Sequence, residues 1–232
     1  MNRSYNRKNN QLRPFKFIEN FTTQAYSSVL VEFGNTKVIV ALSFEKTKPR
    51  WMEKDDLRGW ITAEYSLLPS STNPRNTRER SKISGRTQEI QRLIGRSLRS
   101  CVDLAKIPDM TITIDADVIQ ADGSTRCASI CGAFFVLKKA INKMLLERII
   151  SENPIIEHIA AVSVGILNDQ VILDLDYSED SKAQVDSNIV LTQSGKIVEF
   201  QTTAEQSPFD QTKLFEMLNF SQNAVKTIIN SY

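Results

Sequence analysis

Two kinds of residue stand where their type and spacing could do chemistry. The first are acids: Asp174, Asp176, Glu179, Asp180 and Asp186 crowd a short stretch that follows an apolar run. Carboxylates gathered at the mouth of a strand pair can hold Mg2+ through one or two oxygens, with water and a substrate phosphate completing the shell. A solvated acidic loop has the same composition, so spacing alone leaves both readings open. The second are cations beside small residues where helices open. In Asp122-Gly123-Ser124-Thr125-Arg126 a turn precedes an apolar helix. The unpaired amides and positive dipole of a helix N-terminus suit a phosphate or carboxylate there, and Arg126 would add a two-pronged charge. Simple capping by Ser124 or Thr125 is the alternative. Arg86, after Ser84-Gly85, occupies a second such junction, and the loop before it supplies Arg75, Arg78, Arg80 and Lys82. That density suits RNA backbone contacts, a charged interface, or a loop that is merely solvated.

The elements that must carry these residues are legible from period. Val29 to Phe33 and Lys37 to Phe44, separated by Gly34-Asn35-Thr36, predict a hairpin. An apolar island from Trp60 to Leu68 predicts a strand, with a long exposed loop running on to Gly85. Beyond Gly85, residues Ile90, Leu93, Ile94, Leu98 and Val102 repeat at helical spacing, with Arg92, Arg96 and Arg99 as a stripe on another face. Three arginines there are either an RNA-binding or interface stripe or a wet face. Met110 to Ile119 alternates as a strand, and Ala128 to Ile150, apolar on most sides, predicts a buried helix. Hairpins follow at Ala160–Leu167 with Val171–Asp176, and at Ile189–Thr192 with Ile197–Thr202, an acidic loop lying between them. A last helix is expected to open on a Ser207 cap with Pro208 at its first position. Interleaved strands and helices without a linker predict one α+β domain spanning 1–232.

Composition removes several classes of function. The chain has 232 residues, 41% hydrophobic and 24% charged, which is ample for a core and wrong for disorder. With 29 Lys and Arg against 27 Asp and Glu, bulk charge cannot bind a polyanion, so any anion site is local. Three cysteines and a single histidine argue against a disulfide framework and against a zinc site. Cys127 and Cys131 read as core residues and His158 as structural. No apolar run reaches the roughly 18 residues a membrane span needs, and no signal-peptide core is present, so a cytoplasmic protein is expected. The acid-free opening, Met1 to Pro14, has a transit peptide as its alternative reading.

Several stretches together carry a resemblance: Arg13-Pro14, Ser28-Val29-Leu30-Val31 with Phe33-Gly34-Asn35-Thr36, Gly59-Trp60, Thr62-Ala63-Glu64-Tyr65, Gly85-Arg86-Thr87 through Arg99, Asp117 to Arg126, and Leu173 to Asp186. The chain resembles ribonuclease PH, a phosphate-dependent 3′-exoribonuclease, nearly end to end. The resemblance implies mixed and antiparallel sheets packed with helices in a βαβα-type fold, and a homohexameric ring built as a trimer of dimers. It also implies trimming of the 3′ ends of tRNA precursors. Arg86, with Ser124, Thr125 and Arg126, would hold inorganic phosphate as co-substrate. Asp180 and Asp186 would hold Mg2+, or Mn2+ in its place, and assist the chemistry that releases nucleoside diphosphates from RNA. The family usually has Gly where Ser124 stands, so a side chain there either crowds the phosphate or adds a hydroxyl contact. A noncatalytic RNA-binding subunit of an exosome-like ring is the rival expectation; retention of Arg86, Arg126, Asp180 and Asp186 together favours the enzyme.

Overall fold

The computed structural model describes residues 3–53 and 55–232. Among the described residues nine strands form two sheets. The first, mixed sheet contains β1 (Phe15–Glu19), β2 (Ser27–Phe33), β3 (Thr36–Glu45), β4 (Trp60–Leu67) and β5 (Thr111–Gln120) in the order β1-β2-β3-β5-β4. Only β4 and β5 run parallel, and α1 (Gly85–Arg99) is the crossover that a parallel pair requires. The second sheet is antiparallel, with β6 (Ile159–Leu167), β7 (Gln170–Leu173), β8 (Val185–Thr192) and β9 (Ile197–Ala204) in the order β7-β6-β8-β9. Between β5 and β6 runs α2 (Thr125–Leu146), and α4 (Gln211–Ile229) closes the chain against β6 and β7.

Helix α2 explains why the two sheets share one core. It packs on β2 and β3 of the first sheet and on β6 of the second, so it meets apolar surface on two sides. Its sequence is correspondingly apolar around the axis, and residues from Cys127 through Leu137 are all buried. Strand β6 is buried along its whole length, as expected of an interior strand. One continuous set of buried side chains runs from Val29 to Ile229 through both sheets.

The sequence reading is matched in β5, where Ile112, Ile114, Ala116 and Val118 are buried, and in the first hairpin, where Phe33 pairs with Thr36 across Gly34-Asn35. Corrections fall at element ends. The helix expected over Ala128–Ile150 begins and ends earlier, as α2. β7 stops at Leu173, because Asp174 adopts a positive φ of 53° that no strand sustains. The last helix opens at Gln211 on the carbonyl of Asp210, not at Ser207. Ser207 and Pro208 are exposed, so a turn begun there would bury nothing. β1 is a strand that the sequence reading leaves unassigned; its Phe15 and Phe17 pack edge-on against Phe33. Finally, the stretch read as an acidic loop holds a one-turn helix, α3 (Tyr177–Asp180), and the start of β8, which carries Asp186.

Candidate active site

The end of β4, the openings of α1 and α2, the end of α3 and the start of β8 meet at one cleft of about 530 Å3. Arg86, Ser124, Thr125, Arg126, Asp180 and Asp186 all line it. Residues up to 100 positions apart are thus gathered in one cleft, as the sequence reading anticipates. The other arginines are not. Arg75, Arg78 and Arg92 are exposed and lie outside the cleft lining. Arg96 pairs with Glu199 at 3.2 Å. Arg99 lies over the Trp60 ring at 4.3 Å and donates to Ile61 O at 2.7 Å, so it fastens α1 to β4 rather than facing solvent.

One wall of the cleft is cationic. In α2 the first helical bond runs from Ala128 N to Ser124 O, which leaves the Thr125, Arg126 and Cys127 amides without helical partners. Arg126 Nη2 is oriented by Glu89 Oε2 at 3.0 Å, and Glu89 Oε1 accepts from Gln201 at 3.1 Å. The Arg126 Nε is buried without a partner among the described residues. Tyr65 sits behind the turn with its hydroxyl 3.2 Å from Thr125 Oγ1. Across the opening, Ser84 caps α1 by accepting from Thr87 N at 3.2 Å, while Arg86 is exposed and held by no hydrogen bond or ion pair among the described residues. A free guanidinium, a backed guanidinium and unpaired amides facing one space make an anion site.

Ser124 departs from what was expected of its hydroxyl. It occupies the cap position with φ 55° but makes no capping bond. Its Oγ turns inward instead, to Ser163 Oγ at 2.6 Å, Asp174 Oδ1 at 3.0 Å and Leu175 O at 3.2 Å. The positive φ explains a preference for glycine at this position, and the hydroxyl is engaged by these inward partners although the residue still lines the cleft. Next to it, Gly123 has φ 74°, and a Cβ there would meet Leu175 O at 2.4 Å, so the turn and the acidic segment are packed backbone to backbone.

The opposite wall is anionic. Burial raises the Asp186 carboxyl to about 6, with the neighbouring charge of Asp180 adding to it. Burial likewise raises Asp180, against the pull of Arg126 and Arg86. Among the described residues no ion pair reaches either acid. Two hard carboxylate donors, partly buried, lining the same cleft and without an ion-pair partner among the described residues, are the kind of donor set that Mg2+ takes when a substrate phosphate and water supply the rest. The group fits.

The remaining acids do something else, which the sequence reading missed. Asp174 accepts from Arg13 N, Nε and Nη2 at 2.8, 3.1 and 2.7 Å; Glu179 accepts from Arg3 and Arg7; and Asp176 lies 3.7 Å from Arg7. All six side chains are buried. The signal was present, since the acid-free opening carries arginines that complement acids some 170 residues later, but only tertiary structure pairs them. Burial opposes the charge of Asp174, yet the Arg13 ion pair and hydrogen bonds outweigh it and hold the carboxyl below its ordinary range; Asp176 is lowered similarly by Ser4, Ser178 and the Glu179 amide. A carboxyl lowered on folding contributes stability that is fully present above the unfolded value and is lost as pH falls through the folded one. Denaturant melts should therefore show the contribution of Asp174 and Asp176 undiminished down to about pH 4 and lost below it.

The fold is of the ribonuclease PH-like type. Among solved structures, rice (Oryza sativa) Rrp46 matches with a TM-score of 0.79 at 21% identity, over 98% of this chain and 97% of that one. An Archaeoglobus fulgidus exosome with RNA bound to the active site matches at 0.80 and 22%, over 97% and 91%, and an archaeal exosome core at 0.76 and 21%, over 97% and 88%. At such identities these likenesses establish the fold. Family models add the lineage: domain 1 of the 3′ exoribonuclease family matches residues 11–141 and domain 2 matches 158–224. The chain belongs to the 3′ exoribonuclease family of ribonuclease PH. Among its described residues no helix is long and apolar enough to cross a membrane.

Proposed function

We propose that this protein is a phosphate-dependent 3′→5′ exoribonuclease that trims tRNA precursors and other RNAs and releases nucleoside diphosphates. The observation that carries the reading is the meeting, in one cleft, of the Arg86 and Arg126 anion wall with the Asp180 and Asp186 carboxylate pair. Phosphate is a bulky anion that must approach a phosphodiester of like charge, and the two guanidiniums and the α2 amides offset that repulsion and orient the nucleophile. One phosphate oxygen forms a bond to the terminal phosphorus as the bond from phosphorus to the 3′ oxygen of the preceding nucleotide breaks. That oxygen leaves as a hydroxyl on the shortened RNA. Asp180 and Asp186 would hold Mg2+, or Mn2+, which when bound neutralises the nonbridging oxygens and the leaving oxygen. Because a phosphodiester and a diphosphate bond differ little in free energy, the cleft should also add nucleotides from diphosphates. RNA is gripped through its backbone, so little sequence preference is expected.

A homohexameric ring, a trimer of dimers in the cytoplasm, is part of the same proposal. Support comes from family membership and from fold likeness to exosome cores, one of which has RNA in its active site.

The deciding assay is incubation with Mg2+ and an RNA carrying an unstructured 3′ tail, with and without inorganic phosphate. Diphosphates released only with phosphate are expected; RNA bound but uncut would replace the enzyme with the noncatalytic ring subunit. In the same assay Arg86→Ala should raise the KM for phosphate by about tenfold or more, the loss expected of a charged hydrogen bond. Its melting temperature should hold, because Arg86 is exposed and unpaired in the fold. An unchanged KM for phosphate would remove Arg86 from the anion site.

A further inference from the structure

The carboxylate wall rests on a helix too short to hold itself. α3 is a 4-residue turn, far below the length at which a helix is stable on its own bonds, yet it ends in Asp180. Internally it has a single turn of backbone bonds, such as Asp180 N to Asp176 O at 2.8 Å, and a capping box, in which Asp176 Oδ1 accepts from Glu179 N and Glu179 Oε2 accepts from Asp176 N, each at 3.1 Å. What grips its Glu179 carboxylate comes from the other end of the chain. Arg3 grips Glu179 with a two-pronged contact, Nε to Oε1 at 2.7 Å and Nη2 to Oε2 at 3.1 Å. Arg7 Nη2 adds a third bond to Oε2 at 2.8 Å. The same guanidiniums donate to the carbonyl of Leu173, the last residue of β7, at 2.7 and 3.2 Å. Two buried arginines therefore tie the end of a rigid strand to the residue immediately before Asp180.

We propose that Arg3 and Arg7 are positioning residues for the divalent cation: a strap that, through Glu179, sets the Asp180 carboxylate at the separation from Asp186 that one metal ion needs. This rests on the reading of Asp180 and Asp186 as the metal pair. Stability alone does not call for such an arrangement, since apolar side chains fill a core at least as well as buried ion pairs. What the arginine fork adds is direction, because its planar donors fix the plane and angle of the carboxylate they hold. Outer residues that orient metal ligands act in this way, and a ligand displaced by an ångström loses its metal.

The test uses full-length protein and Mn2+ as the probe, read by loss of the free Mn2+ paramagnetic signal, alongside thermal melting and phosphorolysis titrated separately with Mg2+ and phosphate. Arg3→Lys keeps the charge and loses the fork. It should weaken Mn2+ binding and raise the half-saturating Mg2+ by about tenfold or more, while the KM for phosphate moves by less than about twofold. Glu179→Gln keeps the capping box and should shift the metal readouts in the same direction, so it decides the matter if Arg3→Lys fails to fold. A lowered melting temperature with Mn2+ affinity unchanged well below it would reduce the strap to a structural tie and overturn the proposal. Wild-type protein that binds Mn2+ but releases no diphosphate would sink the exoribonuclease reading and leave the strap to be judged on Mn2+ alone. Failure of the wild type to bind Mn2+ would overturn both.

Discussion

Asp186→Asn is expected to remove phosphorolysis, by roughly a thousandfold or more, and at the same time to raise the melting temperature in metal-free buffer. On the proposed function, the first effect follows from losing one of two carboxylates that would together hold the cation, whose charge stabilisation would amount to several kcal/mol at about 1.4 kcal/mol per tenfold in rate. The second follows from the environment of the group. Its carboxyl is raised to about 6 by burial and then by Asp180, so the ionised form is disfavoured in the fold. A carboxyl raised on folding contributes stability below its unfolded value and loses that contribution as pH rises through the folded one. At pH 8 without metal the wild type should carry the whole of that penalty, on the order of 3 kcal/mol, and the neutral amide should not. Added Mg2+ should stabilise the wild type by mass action and leave the variant unmoved. Paired melts with EDTA and with Mg2+ measure this directly. A variant less stable than the wild type in EDTA would show that the two acids are not frustrated neighbours awaiting a cation.

How far the site was legible depended on whether a residue's role is set locally. Helix openings announce themselves in sequence, so Arg86 and the turn before Arg126 were located by small residues preceding apolar periodicity, and both line the cleft. The acids were harder. Asp174, Asp176 and Glu179 have the same chemistry as Asp180 and Asp186, and only the fold sorts them into three that face buried arginines and two that face the cleft. The family resemblance pointed to the two that line the cleft. Arg99 looked like part of a polar stripe because Arg92 and Arg96 share its face, but the partner that captures it, Trp60, belongs to another element. Ser124 does not cap α2 through its side chain as one reading of the sequence expected. The φ of 55° swings its hydroxyl into the protein, a consequence of backbone geometry that residue type does not reveal.

Asp174 is where the largest loss of stability is expected. Its carboxylate takes three bonds from Arg13, lies 3.7 Å from Arg7, and also accepts from Ser124 Oγ in the turn that opens α2. Arg13 in turn donates to the carbonyl of Asp122 in that same turn. Removing the acid leaves the fully buried Arg13 guanidinium without its counter-charge, and stranding one partner of a buried pair costs about 3–5 kcal/mol. For a chain of this length that corresponds to a fall of roughly 6–20 °C in melting temperature. Asp174→Asn, similar in shape but neutral, should fall nearly as far as Asp174→Ala, because the cost lies in the stranded charge and not in the cavity. Replacing both partners, as Arg13→Met with Asp174→Leu, should recover most of the stability, since neither member of the pair is left charged and Arg7 keeps Glu179 and Asp176 as partners. Activity should not return with it, because Ser124 would lose one of its acceptors and the Asp122 carbonyl its Arg13 donor, loosening the turn that opens α2. Thermal melts of the single and double variants, with the KM for phosphate of the double, separate the two contributions. Full recovery of both would show that the ion pair holds only the core, and that the anion turn keeps its geometry without it.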